Sequence, residues 1–220
     1  MHIGIIADGN RRWAKAQGLP KIEGHKRGLE RIEELVGAAT KLPIDYLTFY
    51  VFSNENWGRE EAEVSGIMRL AETRILKLAE KMAANNVRLL ILGRRERIPE
   101  KLRAEIEQAE AVTAECTGVT ACFCFNYGGE QEIADAATAA AREEQEITPE
   151  TIRAHLYHPE VPDVDMVVRT SGEERISGFM LWRVAYAEMM FLEKYFPEMG
   201  AEDLAEVLKE YETRQRRFGK

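Results

Sequence analysis

Four polar clusters, each directly behind a short apolar run, hold the residues of this chain whose types and spacing could do chemistry. They are Asp8-Gly9-Asn10-Arg11-Arg12-Trp13, Ser53-Asn54-Glu55-Asn56-Trp57-Gly58-Arg59, Asn126-Tyr127-Gly128-Gly129, and Arg169-Thr170-Ser171-Gly172-Glu173-Glu174-Arg175-Ile176-Ser177. An acid can hold a hard cation, glycine lets backbone N–H groups approach phosphate oxygens, and guanidiniums fork onto those oxygens, so the chemistry suggested is that of a diphosphate and its metal ion. Asp-Gly and Asn are also ordinary turn residues, and one such cluster alone would read as a polar turn. Four of them behind four apolar runs favour a shared site.

The runs themselves are strand-length and mostly β-branched or aromatic: Ile3 to Ala7, Tyr46 to Phe52, Val87 to Leu92, Val119 to Phe125, Val164 to Val168 and Met189 to Leu192. Between them lie amphipathic segments. Val64, Ile67, Met68, Ala71, Ile75, Leu78, Ala79 and Met82 keep one face apolar through a helix from Ala62 to Ala84. Further helices are expected over about Lys26 to Lys41, Pro99 to Cys116, Gln131 to Glu144, Pro149 to His155 and Glu202 to Phe218. Such alternation predicts a single α/β domain with a mostly parallel central sheet flanked by helices. In that architecture ligands bind beyond the carboxyl ends of the strands, where Asp8, Ser53, Asn126 and Arg169 would meet.

Composition narrows the function classes. The 220 residues are 45% hydrophobic and 31% charged, enough for one domain that encloses a small substrate. A net charge of -8 argues against nucleic acid as a partner, so the local arginine clusters serve a smaller anion. Cys116, Cys122 and Cys124 are too few and too close for a disulfide framework and read as thiols of a cytoplasmic protein. No apolar run is long enough to span a bilayer, so any membrane role would be peripheral. The chain lacks the P-loop and GxGxxG patterns, and no Asp-Asp pair could build an aspartate-rich metal cradle.

These clusters, with Gly24-His25, Glu63-Val64, Leu181-Trp182 and Tyr186-Ala187-Glu188, resemble in order and across essentially the whole chain the motifs of the cis-prenyltransferases, the family of undecaprenyl diphosphate synthase. The resemblance implies a homodimer that condenses an allylic diphosphate with isopentenyl diphosphate, with an apolar tunnel under the strand ends. By motif it assigns Gly9, Asn10, Arg11, Arg12, Trp13, Lys21 and His25 to the allylic diphosphate. Arg169, Arg175, Ile176 and Ser177 fall to isopentenyl diphosphate, with Arg217 and Gly219 of the tail reaching across the dimer. Ser53, Asn54, Glu55, Trp57 and Arg59 belong to the substrate loop, Asn56 with Ser53 to the proton step, and Asp8 with Glu188 to Mg²⁺.

Other readings accompany these assignments. Trp13 and Trp57 could pack the sheet edge, His25, expected at a helix start, could be a surface residue, and Glu63 could be an acid at a helix N-terminus or a support for the substrate loop. The chain departs from the family pattern at Lys21, Glu60, Glu130, Glu174 and Gly178. Val51, Phe123 and Phe125 are bulky for the catalytic strand ends; if they point inward, the product is expected to be shorter than undecaprenyl. The alternatives to a lipid-carrier synthase are a short-chain cis-prenyl diphosphate synthase, a non-catalytic scaffold subunit of the same fold, and a polar-walled module for phosphate sugars or nucleotides.

Overall fold

The computed structural model describes residues 1–214. Six strands, β1 (His2–Ile6), β2 (Tyr46–Ser53), β3 (Arg88–Leu92), β4 (Thr120–Tyr127), β5 (Met166–Thr170) and β6 (Glu188–Leu192), form one sheet in the order β3-β4-β2-β1-β5-β6. Every neighbouring pair is parallel. Strand residues alternate between two apolar layers, as a sheet covered on both faces requires. Ile3, Ile5, Leu47, Phe49, Leu89, Ile91 and Val168 face one layer, and Ile6, Tyr50, Leu90, Cys122, Cys124 and Val167 face the other.

Helices α2 (Lys21–Ala39), α3 (Glu61–Ala84), α4 (Glu100–Val112) and α7 (Ala201–Thr213) cover the first face. The second face is covered by the 161–184 segment, with α5 (Gly129–Arg142) and α6 (Pro149–Ala154) outside it. The chain runs from β1 to β2 on one side and returns through β5 on the other, so the sheet switches direction at β1. This crossover opens a crevice at the carboxyl end of β1, next to Asp8.

The largest departure from the expected elements is α1 (Asn10–Ala16), which begins where a polar turn is expected. Gly9 supplies the bend with φ 101°, a left-handed conformation that costs glycine nothing. The short helix then lies against α2 so closely that a Cβ on Gly24 would sit 2.0 Å from the Asn10 carbonyl oxygen, and one on Gly28 would sit 2.7 Å from Asn10 Oδ1. Gly24 weakens the helical pattern ahead of Lys26, which is why the sequence suggests a start there, whereas α2 begins at Lys21, directly after Pro20. Strands β4 and β5 run through Asn126 and Arg169 instead of ending before them. The helix expected to run to Phe218 ends at Thr213 among the described residues; Arg217, Phe218 and Gly219 lie outside them.

His2 opens β1 in the interior, where its Nδ1 lies 3.0 Å from the Pro162 carbonyl and its Nε2 2.7 Å from Thr48 Oγ1. Burial pushes its pKa from 6.5 down to about 4. Above the unfolded value both states are neutral; below it the unfolded chain takes up the proton first. Stability is therefore expected to fall by up to about 3 kcal/mol as pH drops from near 6.5 toward 4. Urea midpoints across that window check the drop, and His2→Gln should flatten the wild-type slope.

Candidate active site

The carboxyl ends of β1, β2 and β5 surround a polar cleft with about 1200 Å³ of space, its mouth included. Asp8, Gly9, Asn10, Arg11, Arg12, His25, Ser53, Asn56, Arg59, Arg169, Arg175 and Ser177 line it. Ala7, Asn10, His25 and Val51 also line a second, apolar cavity of about 880 Å³, so the two spaces share a wall. That cavity lies between α2, α3 and the sheet, with Ile67, Ala71, Ile75, Phe123 and Phe125 among its walls. Val51, Phe123 and Phe125 do point inward. The apolar walls count against a module for phosphate sugars or nucleotides.

Asp8 occupies the centre of the cleft. Arg169 Nη2 donates to its Oδ2 at 2.8 Å, the Gly9 N–H donates to its Oδ1 at 2.7 Å, and Arg12 Nη2 stands 3.4 Å from the same oxygen. Burial works against the charged carboxylate, but the hydrogen bond and charge of Arg169, followed by Arg12, outweigh it and hold the pKa below the usual value. The backbone here is pinned by Thr170, whose hydroxyl accepts from the Asp8 N–H at 3.0 Å and donates to the Asp8 carbonyl at 2.7 Å. An ionised, partly exposed carboxylate beside arginines is a suitable anchor for a hard divalent ion that takes its remaining oxygens from phosphate. Two nearby buried oxygens, Asn10 Oδ1 and Ser171 Oγ, have no hydrogen-bond partner and leave further lone pairs at this end of the strands.

On one side of Asp8, the buried carboxylate of Glu63, with its side chain 4% exposed, gathers four basic side chains. Arg59 Nη1 lies 3.1 Å and His25 Nε2 3.4 Å from its Oε1; Arg11 and Lys21 stand 3.6 and 3.7 Å from its Oε2. The last two are ion pairs too long to be hydrogen bonds. Burial alone would raise the Glu63 pKa, but Arg59, Arg11 and His25 together lower it. Burial depresses the pKa of His25, and the charge of Arg59 adds to that effect. His25 lies inside the first turns of α2, not at the helix start. Lys21 also pairs with Glu60 at 2.7 Å, so these two departures from the family pattern meet each other.

On the other side, Arg169 Nη1 donates to Ser177 Oγ at 2.9 Å and to the Arg175 carbonyl, which folds the 171–177 loop over the end of β5. Glu173 accepts from Arg12 at 2.9 Å and pairs with Arg175, tying the two sides of the cleft together. Its type and position after β5 were visible in the sequence, but its link to Arg12 was not. The extra charge expected from Glu174 does not enter the cleft, since Glu174 is exposed and Glu173 lines the wall. Asn56 Oδ1 accepts the Ser53 N–H at 3.2 Å, which leaves the amide nitrogen as its free polar group. Tyr50, unremarked in the sequence, lines the cleft and reaches the Tyr127 and Ser177 carbonyls at 3.3 and 3.4 Å.

Several sequence assignments stand outside the cleft. Trp57 donates Nε1–H to Asn126 Oδ1 at 2.7 Å, packs edge-on against Phe52, and has the Arg97 guanidinium 4.3 Å above its ring, so it braces the sheet edge. Asn126 donates to the Arg94 and Glu96 carbonyls and is likewise a brace. Trp13, Lys21, Asn54, Glu55 and Ile176 flank the cleft without lining it. Glu188 does not join Asp8 within one chain. It opens β6, level with Met166, and Asp8 follows the far end of β1, roughly 17 Å away along the strands. Its carboxylate instead accepts from Arg214 at 3.1 Å.

Comparison with known proteins accords with this geometry. A family model described as putative undecaprenyl diphosphate synthase matches residues 6–219. An isoprenyl transferase of Agrobacterium fabrum is 43% identical over 99% of this chain and 91% of its own length. A ditrans,polycis-undecaprenyl-diphosphate synthase of Vibrio vulnificus, specific for (2E,6E)-farnesyl diphosphate, is 42% identical over 99% and 90%. Among solved structures, lavandulyl diphosphate synthase from Lavandula x intermedia, in complex with dimethylallyl diphosphate, superposes with a TM-score of 0.94 at 31% identity, covering 100% of this chain and 98% of that one. A probable undecaprenyl diphosphate synthase from Campylobacter jejuni gives 0.86 at 30% identity with the same coverage. With its parallel sheet, its cationic cleft around Asp8 and full-length similarity to these enzymes, the chain belongs to the undecaprenyl diphosphate synthase family of prenyltransferases.

Proposed function

We propose that this enzyme joins isopentenyl diphosphate to an allylic diphosphate such as farnesyl diphosphate, with Mg²⁺ as cofactor, to make a cis-polyprenyl diphosphate for lipid-carrier synthesis. The observation that carries this reading is the position of Asp8 between two sets of basic side chains, in a cleft that shares a wall with an apolar cavity. Arg11, Arg12, His25 and Arg59 suit the allylic diphosphate, while Arg169, Arg175 and Ser177 suit isopentenyl diphosphate. Asp8, and not Glu188 of the same chain, would hold Mg²⁺; the chemistry the ion supplies when bound is neutralisation of charge on the departing diphosphate.

As the allylic C–O bond breaks, its electron pair leaves with the diphosphate, and the fixed guanidiniums of Arg11, Arg12 and Arg59 stabilise that charge without reorganisation. The terminal alkene carbon of isopentenyl diphosphate attacks the allylic carbon, leaving a tertiary cation on the neighbouring carbon, and the CH₂ on the diphosphate side of that cation loses a proton to a diphosphate oxygen as the new double bond forms. Asn56 positions the donor through its amide N–H groups, since a neutral amide is a poor base. The prenyl chain then occupies the apolar cavity as a tunnel. Because Val51, Phe123 and Phe125 narrow it, the product is expected to be shorter than undecaprenyl.

The edge strand β6 carries half-buried Met189, Met190, Phe191 and Leu192, an apolar edge suited to a homodimer. No helix among the described residues is long and apolar enough to cross a membrane. The reading places the enzyme in the cytoplasm, touching the membrane through its lipid product.

Incubation with labelled isopentenyl diphosphate and a series of allylic primers, with Mg²⁺ or with a chelator, tests the assignment. Mg²⁺-dependent incorporation into a prenyl ladder shorter than C55 is expected. Failure to incorporate with any primer would favour a non-catalytic scaffold, and a C55 product would refute the short-product reading.

A further inference from the structure

Arg74 breaks the pattern of the apolar cavity. It projects from the cavity-facing side of α3, where Leu70, Ile75 and Leu78 present hydrocarbon, and yet it is solvent-exposed. Leu29, Leu70, Arg74 and Leu78 also line a second, polar groove on the outside of α2 and α3. These shared residues form the wall that separates the cavity from the groove between the two helices. The groove beyond is charged, and its neighbours are largely occupied: Lys81 pairs with Glu33, and Lys26 with Glu23. Among the described residues no carboxylate pairs with Arg74.

The geometry points to Arg74 as a specificity-determining residue that sets where chain growth stops. This inference rests on the reaction proposed above. A guanidinium at the rim of a hydrocarbon cavity lays its methylene stem on the apolar wall and keeps its head in water. Each condensation pushes the far end of the prenyl chain five carbons deeper. A chain that fills the cavity must next pass between Leu29 and Leu78, where it would strip water from an unpaired cation, and burying such a charge without a partner is strongly unfavourable. Growth beyond that length is opposed at this point, whereas shorter chains never reach it. Arg74 thus acts at the side of the cavity, apart from the bulk that Val51, Phe123 and Phe125 contribute near the cleft.

The test compares the product ladders of the wild type, Arg74→Leu, Arg74→Ala and Arg74→Lys at one fixed ratio of primer to isopentenyl diphosphate, sized by reverse-phase chromatography. The exposed site makes all three variants compatible with the fold, and melting curves identify any that is not. Leu and Ala are expected to shift the longest products upward by at least one five-carbon unit at similar initial rates, while Lys keeps the wild-type ladder. An unchanged or shorter ladder for both Leu and Ala overturns the role of Arg74, and a lengthened ladder for Lys overturns the role of its charge. If the wild type itself incorporates nothing, the proposed reaction fails and the inference falls with it, a result distinct from an active enzyme with an unmoved ladder.

Discussion

Asp8→Asn is expected to lower kcat for isopentenyl diphosphate incorporation by roughly 10²–10³-fold. The amide is isosteric and can still accept the 2.7 Å hydrogen bond from the Gly9 N–H, so the loop keeps its shape. What disappears is one negative charge at the point where Arg12 and Arg169 converge. Without metal, that loss frees two guanidiniums, so inorganic pyrophosphate should bind the variant as tightly as the wild type or more tightly. With Mg²⁺ the order should reverse, because the variant would lack the anionic oxygen proposed to hold the ion. Kinetic assays with titrated Mg²⁺, paired with pyrophosphate calorimetry in chelator, separate these effects. A variant that keeps activity within about tenfold would remove Asp8 from the metal site.

Replacing the other central acid acts on both binding and turnover. Glu63→Ala leaves Arg11, Lys21, His25 and Arg59 without the carboxylate that orders them. The expected result is a rise of roughly 10- to 100-fold in KM for the allylic diphosphate together with a fall in kcat, because Arg11 and Arg59 are no longer held where charge develops on the departing diphosphate. Stability should fall by about 1–3 kcal/mol, less than for a fully buried pair, because Arg11 and Lys21 are half exposed. The carboxylate pKa is depressed in the folded state, so the stabilisation it gives is present above the unfolded value and is lost as pH falls through the folded one. The stability difference between wild type and Glu63→Gln should therefore shrink in acid. Unfolding curves at pH 7 and pH 3.5 measure it, and a difference that persists at the lower pH would show that Glu63 acts by packing and not by charge.

Six strands and all but one of the main helices were legible in the chain, because parallel strands buried on both faces read as unbroken apolar runs and surface helices read as a period of 3.6. Helix α1 was not legible. Its first residues are those of a polar turn, and it holds its place through backbone contact with two glycines of α2. Asp8, Arg169 and Ser177, expected beyond the strand ends, do line one cleft, since acids and guanidiniums behind parallel strands have one crevice to share. Trp57 and Asn126 had the same kind of sequence signal but turned out to hold each other. An indole N–H and an amide look the same in a motif whether they face a ligand or a neighbour.

By itself the sequence determined the family and the parallel α/β architecture and led to the expectation of diphosphate chemistry, because residue type and order carry that information locally. Tertiary structure alone decided which carboxylates share a site. Asp8 met Arg12 and Arg169, Glu63 gathered four basic groups from three segments, and Glu188 was carried to the amino-terminal end of the edge strand β6. Arg74 likewise became notable only when α2 and α3 enclosed a cavity beside it. Electrostatic and apolar contacts act over a few ångströms in space, and distances between residues far apart along the chain are set only when the sheet has formed.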